Sequence, residues 1–144
     1  MIQSDTIKLL RECDAGIKMG VTSIDDVLQY VGAESLKKIL IESKKSHQAL
    51  QSEIEELLSK YKDEGKNPNP FVQAMSYLKT NMKLKMNESD HTIASLMMKG
   101  CDMGVQSLSK YLNQYKAAEE KAKDICSRLI DVEDSLSKDM RAYL

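Results

Sequence analysis

The sequence predicts an all-α protein, a bundle of four long helices arranged as two helical hairpins joined by a crossover that contains a short extra helix. Four long segments carry apolar residues at every third or fourth position, which is the period of an amphipathic helix. Aromatic residues make up only 5% and Trp is absent, while Lys, Glu, Leu, Ser and Met are frequent, a composition that favours helices over a β-sandwich. The length of 144 residues is typical of one domain, so we assign residues 1–144 to a single domain.

The first hairpin is predicted over about residues 4–64. Its first helix covers about residues 5–31, because a helix-start signal at Ser4 precedes one continuous apolar face. That face comprises Ile7, Leu10, Ile17, Val21, Ile24, Leu28 and Val31. After a break at Gly32, a second helix shows the apolar face Leu36, Leu40, Leu50, Ile54, Leu57 and Tyr61. Gly65 is expected to end it, since glycine is the common residue just past a helix C-terminus.

The crossover is predicted over about residues 65–88. Two prolines at 68 and 70 cannot continue a helix, and a short helix is expected within residues 70–86. The second hairpin then covers residues 89–144, with its turn near residues 113–116. Its two apolar faces include Ala94, Met98, Cys101, Val105, Leu108 and Leu112, and then Ala122, Cys126, Leu129, Leu136 and Met140.

A repeat links the two predicted hairpins, since GIKMGVTSI at residues 16–24 returns as GCDMGVQSL at residues 100–108. The repeat predicts an internally duplicated bundle, in which each half begins with the same helix. Glycine inside a helix costs about 1 kcal/mol relative to alanine, so the pair of glycines four residues apart in each copy of the repeat requires a reason. We expect these glycines to let another backbone approach, either in the facing helix or in the partner subunit of a dimer; they are Gly16, Gly20, Gly100 and Gly104.

Charge and cysteine content exclude several classes of protein. The net charge is −1 with both signs mixed along the chain, which gives no basic stripe for a nucleic acid. The three cysteines are widely spaced and odd in number, which predicts free thiols in a reducing cytoplasm. No apolar run approaches the ~18 residues of a membrane span. Nucleophile triads, phosphate loops and HExxH are absent from the sequence, so nothing in it argues for an enzyme, although it does not exclude one.

One polar residue interrupts each predicted apolar face: Asp14, His47, Cys101 and Glu133. Counted from the predicted turns, the two members of each hairpin lie within about one helical turn of the same height. We therefore expect the four side chains to form one interior constellation.

These features resemble the ferritin-like superfamily, and in particular a small bacterial branch with a Pro/Gly crossover and a short middle helix. The superfamily implies a di-iron site built from Glu on helices one and three and Glu-x-x-His on helices two and four. Here helix two has Lys44-Lys45-Ser46-His47, and helix four keeps Glu133 but has Leu136 in place of the histidine. With Asp14 and Cys101 in the remaining positions, the resemblance implies a diverged site without ferroxidase chemistry.

Two interpretations of the constellation follow. In the first, the residues form a hydrogen-bonded core cluster in a non-enzymatic structural, interaction or stress-associated protein that needs no cofactor. In the second, a single zinc or iron ion is bound by Asp14, His47, Cys101 and Glu133, since four N, O and S donors suit tetrahedral zinc. A Cu(I) site with soft sulfur ligands is a third interpretation, but methionines at helical spacing more often fill a core. Its donors would be Met19, Met97, Met98, Met103, Cys13 and Cys101.

Overall fold

The computed structural model describes residues 2–67 and 89–144 and is helical throughout, with no strand in these ranges. The helices are α1 (Ile2–Leu28), α2 (Glu34–Lys60), α3 (Ser89–Gln114) and α4 (Glu120–Met140), followed by a 3-10 turn, Arg141–Tyr143. The predicted all-α class and the four long helices are confirmed. The short helix expected at 70–86 lies outside the described residues.

The helices pack as two antiparallel hairpins, α1 with α2 and α3 with α4, and each hairpin lies against the other through α1–α3 and α2–α4. The Tyr61 hydroxyl, just after α2, donates a hydrogen bond to Glu119 in the α3–α4 turn. Asp90, in the first turn of α3, instead binds the α1–α2 turn at Gly32. The chain between α2 and α3 therefore joins opposite ends of the bundle.

Each interhelical turn is held by a side chain from the first helix of the other hairpin. The Asp90 carboxylate accepts hydrogen bonds from the backbone N–H of Gly32 at 2.7 Å and of Ala33 at 3.0 Å. At the other end of the bundle, the Thr6 hydroxyl accepts a hydrogen bond from the backbone N–H of Glu119 at 2.8 Å. These bonds satisfy N–H groups at helix starts that have no partner within their own helix.

Helix α1 begins and ends about three residues earlier than predicted. Ser4, expected to mark the helix start, is already inside α1, and the carboxylate of the next residue, Asp5, accepts a hydrogen bond from the backbone N–H of Ala117 at 3.1 Å. The turn between α3 and α4 occupies residues 115–119, close to the predicted position. None of the helices in the two described ranges combines the length and apolar character that a membrane span requires.

The apolar core is divided into two clusters by a layer at mid-height. One cluster lies towards the α3–α4 turn and includes Ile17, Leu50, Leu108 and Leu129. The other lies towards the α1–α2 turn and includes Ile24, Leu40, Met97 and Leu136. Each helix contributes one residue to the central layer that separates them: Gly20, His47, Gly104 and Glu133. Two glycines and one polar pair thus replace apolar side chains at this level.

Candidate functional site

The central layer is built around a hydrogen bond between His47 on α2 and Glu133 on α4. Nε2 of His47 lies 2.6 Å from Oε1 of Glu133, and the two residues are 1% and 8% exposed. The other ring nitrogen, Nδ1, lies 2.7 Å from the backbone carbonyl oxygen of Ser43, one turn earlier on α2. A carbonyl oxygen can only accept a hydrogen bond, so Nδ1 carries a proton.

One proton therefore lies between Nε2 and Oε1. Either an imidazolium donates to a carboxylate, or a protonated Glu133 donates to a neutral ring. Burial lowers the pKa of His47, but the hydrogen bond and negative charge of Glu133, together with the Ser43 carbonyl, outweigh burial and raise this pKa above its usual value. The raised pKa favours the imidazolium–carboxylate form of the pair.

The two glycines of the central layer make room for this pair. A Cβ atom on Gly20 would lie 2.7 Å from Nε2 of His47, well inside contact distance. A Cβ atom on Gly104 would lie 3.4 Å from Oε2 of Glu133. In both cases the nearest atoms belong to side chains and not to a backbone. The expectation that these glycines bring two backbones together within the chain is therefore wrong, and they accommodate the His47–Glu133 pair instead.

The other two glycines of the repeat border a cavity of about 190 Å³ between α1 and α3, the glycine cavity. A Cβ atom on Gly100 would meet nothing within 4 Å, and one on Gly16 would meet only Leu108, at 3.9 Å. The walls are mostly apolar and include Met19, Ser23, Met97, Cys101, Met103 and Ser107, and both His47 and Glu133 reach the cavity. From Glu12 to Ile24 the lining spans about 18 Å along α1 at 1.5 Å per residue.

Cys101 lies beside Glu133, as expected, and is 3% exposed. Burial, reinforced by the charge of Glu133 and its hydrogen bond with the thiol and by the charge of Asp102, raises the pKa of Cys101 well above its usual value. The thiol is therefore protonated at neutral pH, whereas nucleophilic attack and metal binding need the thiolate.

Asp14 does not join the other three residues. Its Oδ2 accepts a hydrogen bond from the backbone N–H of Lys66 at 3.0 Å and lies 2.7 Å from the ammonium of Lys18. Gly65 packs so closely on Asp14 that a Cβ atom there would overlap the carboxylate, and its φ of +87° also favours glycine. With the ion pairs Arg11–Asp63 and Glu12–Lys66, these contacts form a loop clamp that fixes residues 61–67 against α1.

The separation of Asp14 from the central layer follows from how α1 and α2 are aligned. Gly20 lies level with His47, and Asp25 lies level with Lys44. Asp14 is six residues before Gly20, which places it about 9 Å lower and about 240° around the helix axis. Counting residues from a predicted turn near residue 32 therefore misjudged the alignment of α1 and α2.

The donor set as arranged does not suit a metal ion. Both ring nitrogens of His47 are already engaged, the Cys101 thiol is protonated, and Asp14 lies elsewhere. Within residues 2–67 and 89–144, no three His, Cys, Asp or Glu side chains are grouped so as to hold a metal. The soft-ligand set is also divided, because Cys13 lies beside Cys126 in the cluster near the α3–α4 turn while Cys101 belongs to the other cluster.

Comparisons with protein-family models, with curated proteins and with solved structures find no match for this chain. Sequence reasoning located His47, Cys101 and Glu133 but missed the Ser43 carbonyl, the loop clamp and the glycine cavity. The only sequence signal for the cavity was the glycine repeat itself. Function is therefore inferred from the central layer and the cavity beside it.

Proposed function

We propose that this protein is a non-enzymatic binding protein that holds a small, mainly apolar molecule in the glycine cavity. The observation that carries the proposal is the mostly apolar cavity between α1 and α3, which opens to solvent at the exposed Gly100, where a Cβ atom would meet nothing within 4 Å. A glycine inside a helix costs about 1 kcal/mol relative to alanine, and internal packing gives no return for that cost at this position. A glycine at position 100 is explained if its missing side chain leaves space for a bound molecule.

The size and walls of the cavity support the same proposal. Its volume of about 190 Å³ is enough for a ring the size of benzene, and unlike the closed engineered cavity of ~150 Å³ that binds benzene it opens to solvent beside the exposed Met103. Ligand sites are commonly apolar with a few convergent polar groups, and here His47 and Glu133 supply those groups. The protonated, buried Cys101 thiol favours binding over covalent catalysis.

Filling the cavity tests this function. The substitution Gly100→Leu places a side chain in the open space and removes a helix-destabilising glycine, so the fold should be kept while binding is lost. Chemical-shift changes in the backbone amides, measured with a set of small aromatic and aliphatic compounds, report on binding. We expect saturable shifts in the parent and at least tenfold weaker binding in Gly100→Leu, with a melting temperature no lower than that of the parent.

The matched control is Gln106→Leu, which adds the same side chain at an exposed position of α3 away from the cavity lining. It should bind as the parent does. If no compound binds to the parent, or if Gly100→Leu binds as tightly as the parent, the proposed function is wrong.

A protein that binds one zinc or iron ion is the second candidate, supported by the convergence of His47, Cys101 and Glu133 from three helices. The engaged ring nitrogens and the protonated thiol argue against it. Elemental analysis of protein purified without added metal separates the two candidates. One metal ion per chain, lost in His47→Leu, would favour the metal, and we expect no such stoichiometry.

We also propose that the bundle is a diverged, internally duplicated member of the ferritin-like superfamily. Thr6 and Asp90 are 84 residues apart, as are Gly20 and Gly104, and each pair has the same role in its half. The antiparallel contacts α1–α3 and α2–α4 suit a two-fold axis through the His47–Glu133 pair. An experimental structure tests this, since one rotation near 180° should superpose the hairpins and exchange His47 with Glu133.

A further inference from the structure

We propose that the glycine cavity selects a molecule whose polar head is a hydrogen-bond donor, a hydroxyl or an amino group, over the same apolar body carrying a carboxylate. This inference rests on the proposed function and names the ligand class of that site. It depends on which atom of the His47–Glu133 pair faces the cavity and on what that atom can do.

The acceptor character of Glu133 does not depend on where the shared proton lies. The Ser43 carbonyl requires a proton on Nδ1 of His47, so the second proton of the pair lies between Nε2 and Oε1. If the proton stays on the ring, Oε2 is a carboxylate oxygen. If it moves to Oε1, Oε2 is the carbonyl oxygen of the acid. Both forms leave Oε2 a hydrogen-bond acceptor.

Oε2 is also the oxygen on the α3 side of the pair. It lies 3.4 Å from the position of a Cβ atom on Gly104, so the glycine leaves it uncovered towards the cavity. The hydrogen bond with His47 involves Oε1 and leaves Oε2 to other donors. The Cys101 thiol is the donor that the protein brings to this carboxylate, and a thiol is a weak donor. A ligand O–H or N–H therefore satisfies an acceptor that the protein serves poorly.

A carboxylate head meets the opposite situation. It has no proton to donate at neutral pH and would place a second negative charge beside Glu133, where neither charge is well solvated. The ring of His47 also borders the cavity, but its Nδ1 is bound to the Ser43 carbonyl and its Nε2 to Oε1, so neither ring nitrogen is left to bind an anion. Lys99 lies at one end of the lining and Glu12 at the other. A bound anion could therefore pair with the ammonium of Lys99 only at that end of the cavity, away from the His47–Glu133 pair.

Compounds with the same benzene body test donor selection directly. Benzyl alcohol carries a neutral donor, benzylamine carries a donor that is positively charged at pH 7, toluene carries no polar head, and benzoate carries the anion. Dissociation constants come from amide chemical-shift titrations of the full chain at pH 7. We expect benzyl alcohol and benzylamine to bind about tenfold tighter than toluene, and benzoate to bind at least tenfold more weakly than benzyl alcohol.

Two variants locate the effect at Glu133. Glu133→Met removes the acceptor, and Gly104→Ala covers Oε2 without touching the charge, so the second variant keeps the test valid if the first fails to fold. In each, the ratio of the toluene to the benzyl alcohol dissociation constant should fall towards one. Toluene or benzoate binding as tightly as benzyl alcohol overturns donor selection while leaving the cavity as a binding site. Failure of all four compounds overturns the proposed function as well.

Discussion

Asp14 and Glu133 are both buried carboxylates on apolar helix faces, yet their surroundings give them different roles. One oxygen of Asp14, Oδ2, contacts both a backbone N–H and an ammonium in the loop clamp, while Oδ1 is buried without a hydrogen-bond partner. Glu133 contacts the His47 ring and the Cys101 thiol and also borders the glycine cavity. An acid on an apolar face predicts burial in both cases. Its role is decided by the partners that other elements bring to it.

The loop clamp has the features of a structural region. Lys62 and Gly65 adopt positive φ values of 56° and 87°, so the chain turns sharply after α2. The backbone N–H groups of this turn need hydrogen-bond acceptors. The carboxylate of Asp14 accepts from the N–H of Lys66, and that of Asp63 accepts from the N–H of Gly65. The central layer shows the reverse pattern, because glycines there remove atoms around a polar pair.

The largest effect is expected from breaking the His47–Glu133 pair. Glu133→Leu leaves a buried imidazole without its partner, and removing one member of a buried pair destabilises a protein by about 3 kcal/mol. The double variant His47→Leu/Glu133→Met replaces both members with apolar side chains of similar size and should recover much of this loss. Urea unfolding of the parent and the variants gives the free energies. Additive losses in the double variant would show that the two residues are not coupled.

A smaller and local effect is expected from Asp14. The substitution Asp14→Ala leaves the half-buried N–H of Lys66 without its acceptor, which costs about 1 kcal/mol. Hydrogen exchange should become faster at the amide of Lys66, while the NMR titration of the His47 ring stays as in the parent. A shift of the His47 titration in Asp14→Ala would contradict the separation of the loop clamp from the central layer, because the two would then act as one coupled site.

The sequence predicted the helices because each has an apolar face at helical spacing, as with Leu36, Leu40 and Leu50 on α2. It also identified His47 and Glu133 as interior residues, because polar side chains at apolar positions stand out. It did not predict their separation from Asp14. That separation depends on the axial offset between α1 and α2, and the apolar periodicity of each helix is the same whatever the offset. A shift of a few residues is enough to take Asp14 out of the layer.

The role of the glycines was missed for a related reason. A spacing of four predicts that Gly16 and Gly20 share one side of α1, and they do border the same cavity. Whether the missing Cβ atoms face a backbone, a side chain or open space depends on the neighbouring helices. At Gly20 the neighbour is the His47 ring, whereas at Gly100 there is none within 4 Å. Identical residues in one repeat therefore have different surroundings.

The smallest expected effect is on the pH dependence of stability, and it distinguishes the central layer from the clamp by sign. The pKa of His47 is raised in the folded protein, since Glu133 and the Ser43 carbonyl outweigh burial. A raised folded-state pKa stabilises the protein fully below the unfolded value near 6.5, and this contribution is lost as pH rises through the folded value. In Glu133→Gln burial acts without the carboxylate, so the His47 pKa should fall and the sign should reverse. Melting temperatures of both proteins between pH 5 and 9 should show the parent losing about 1–3 °C relative to Glu133→Gln as pH increases. Parallel curves would mean that Glu133 does not raise the pKa of His47 in the folded protein.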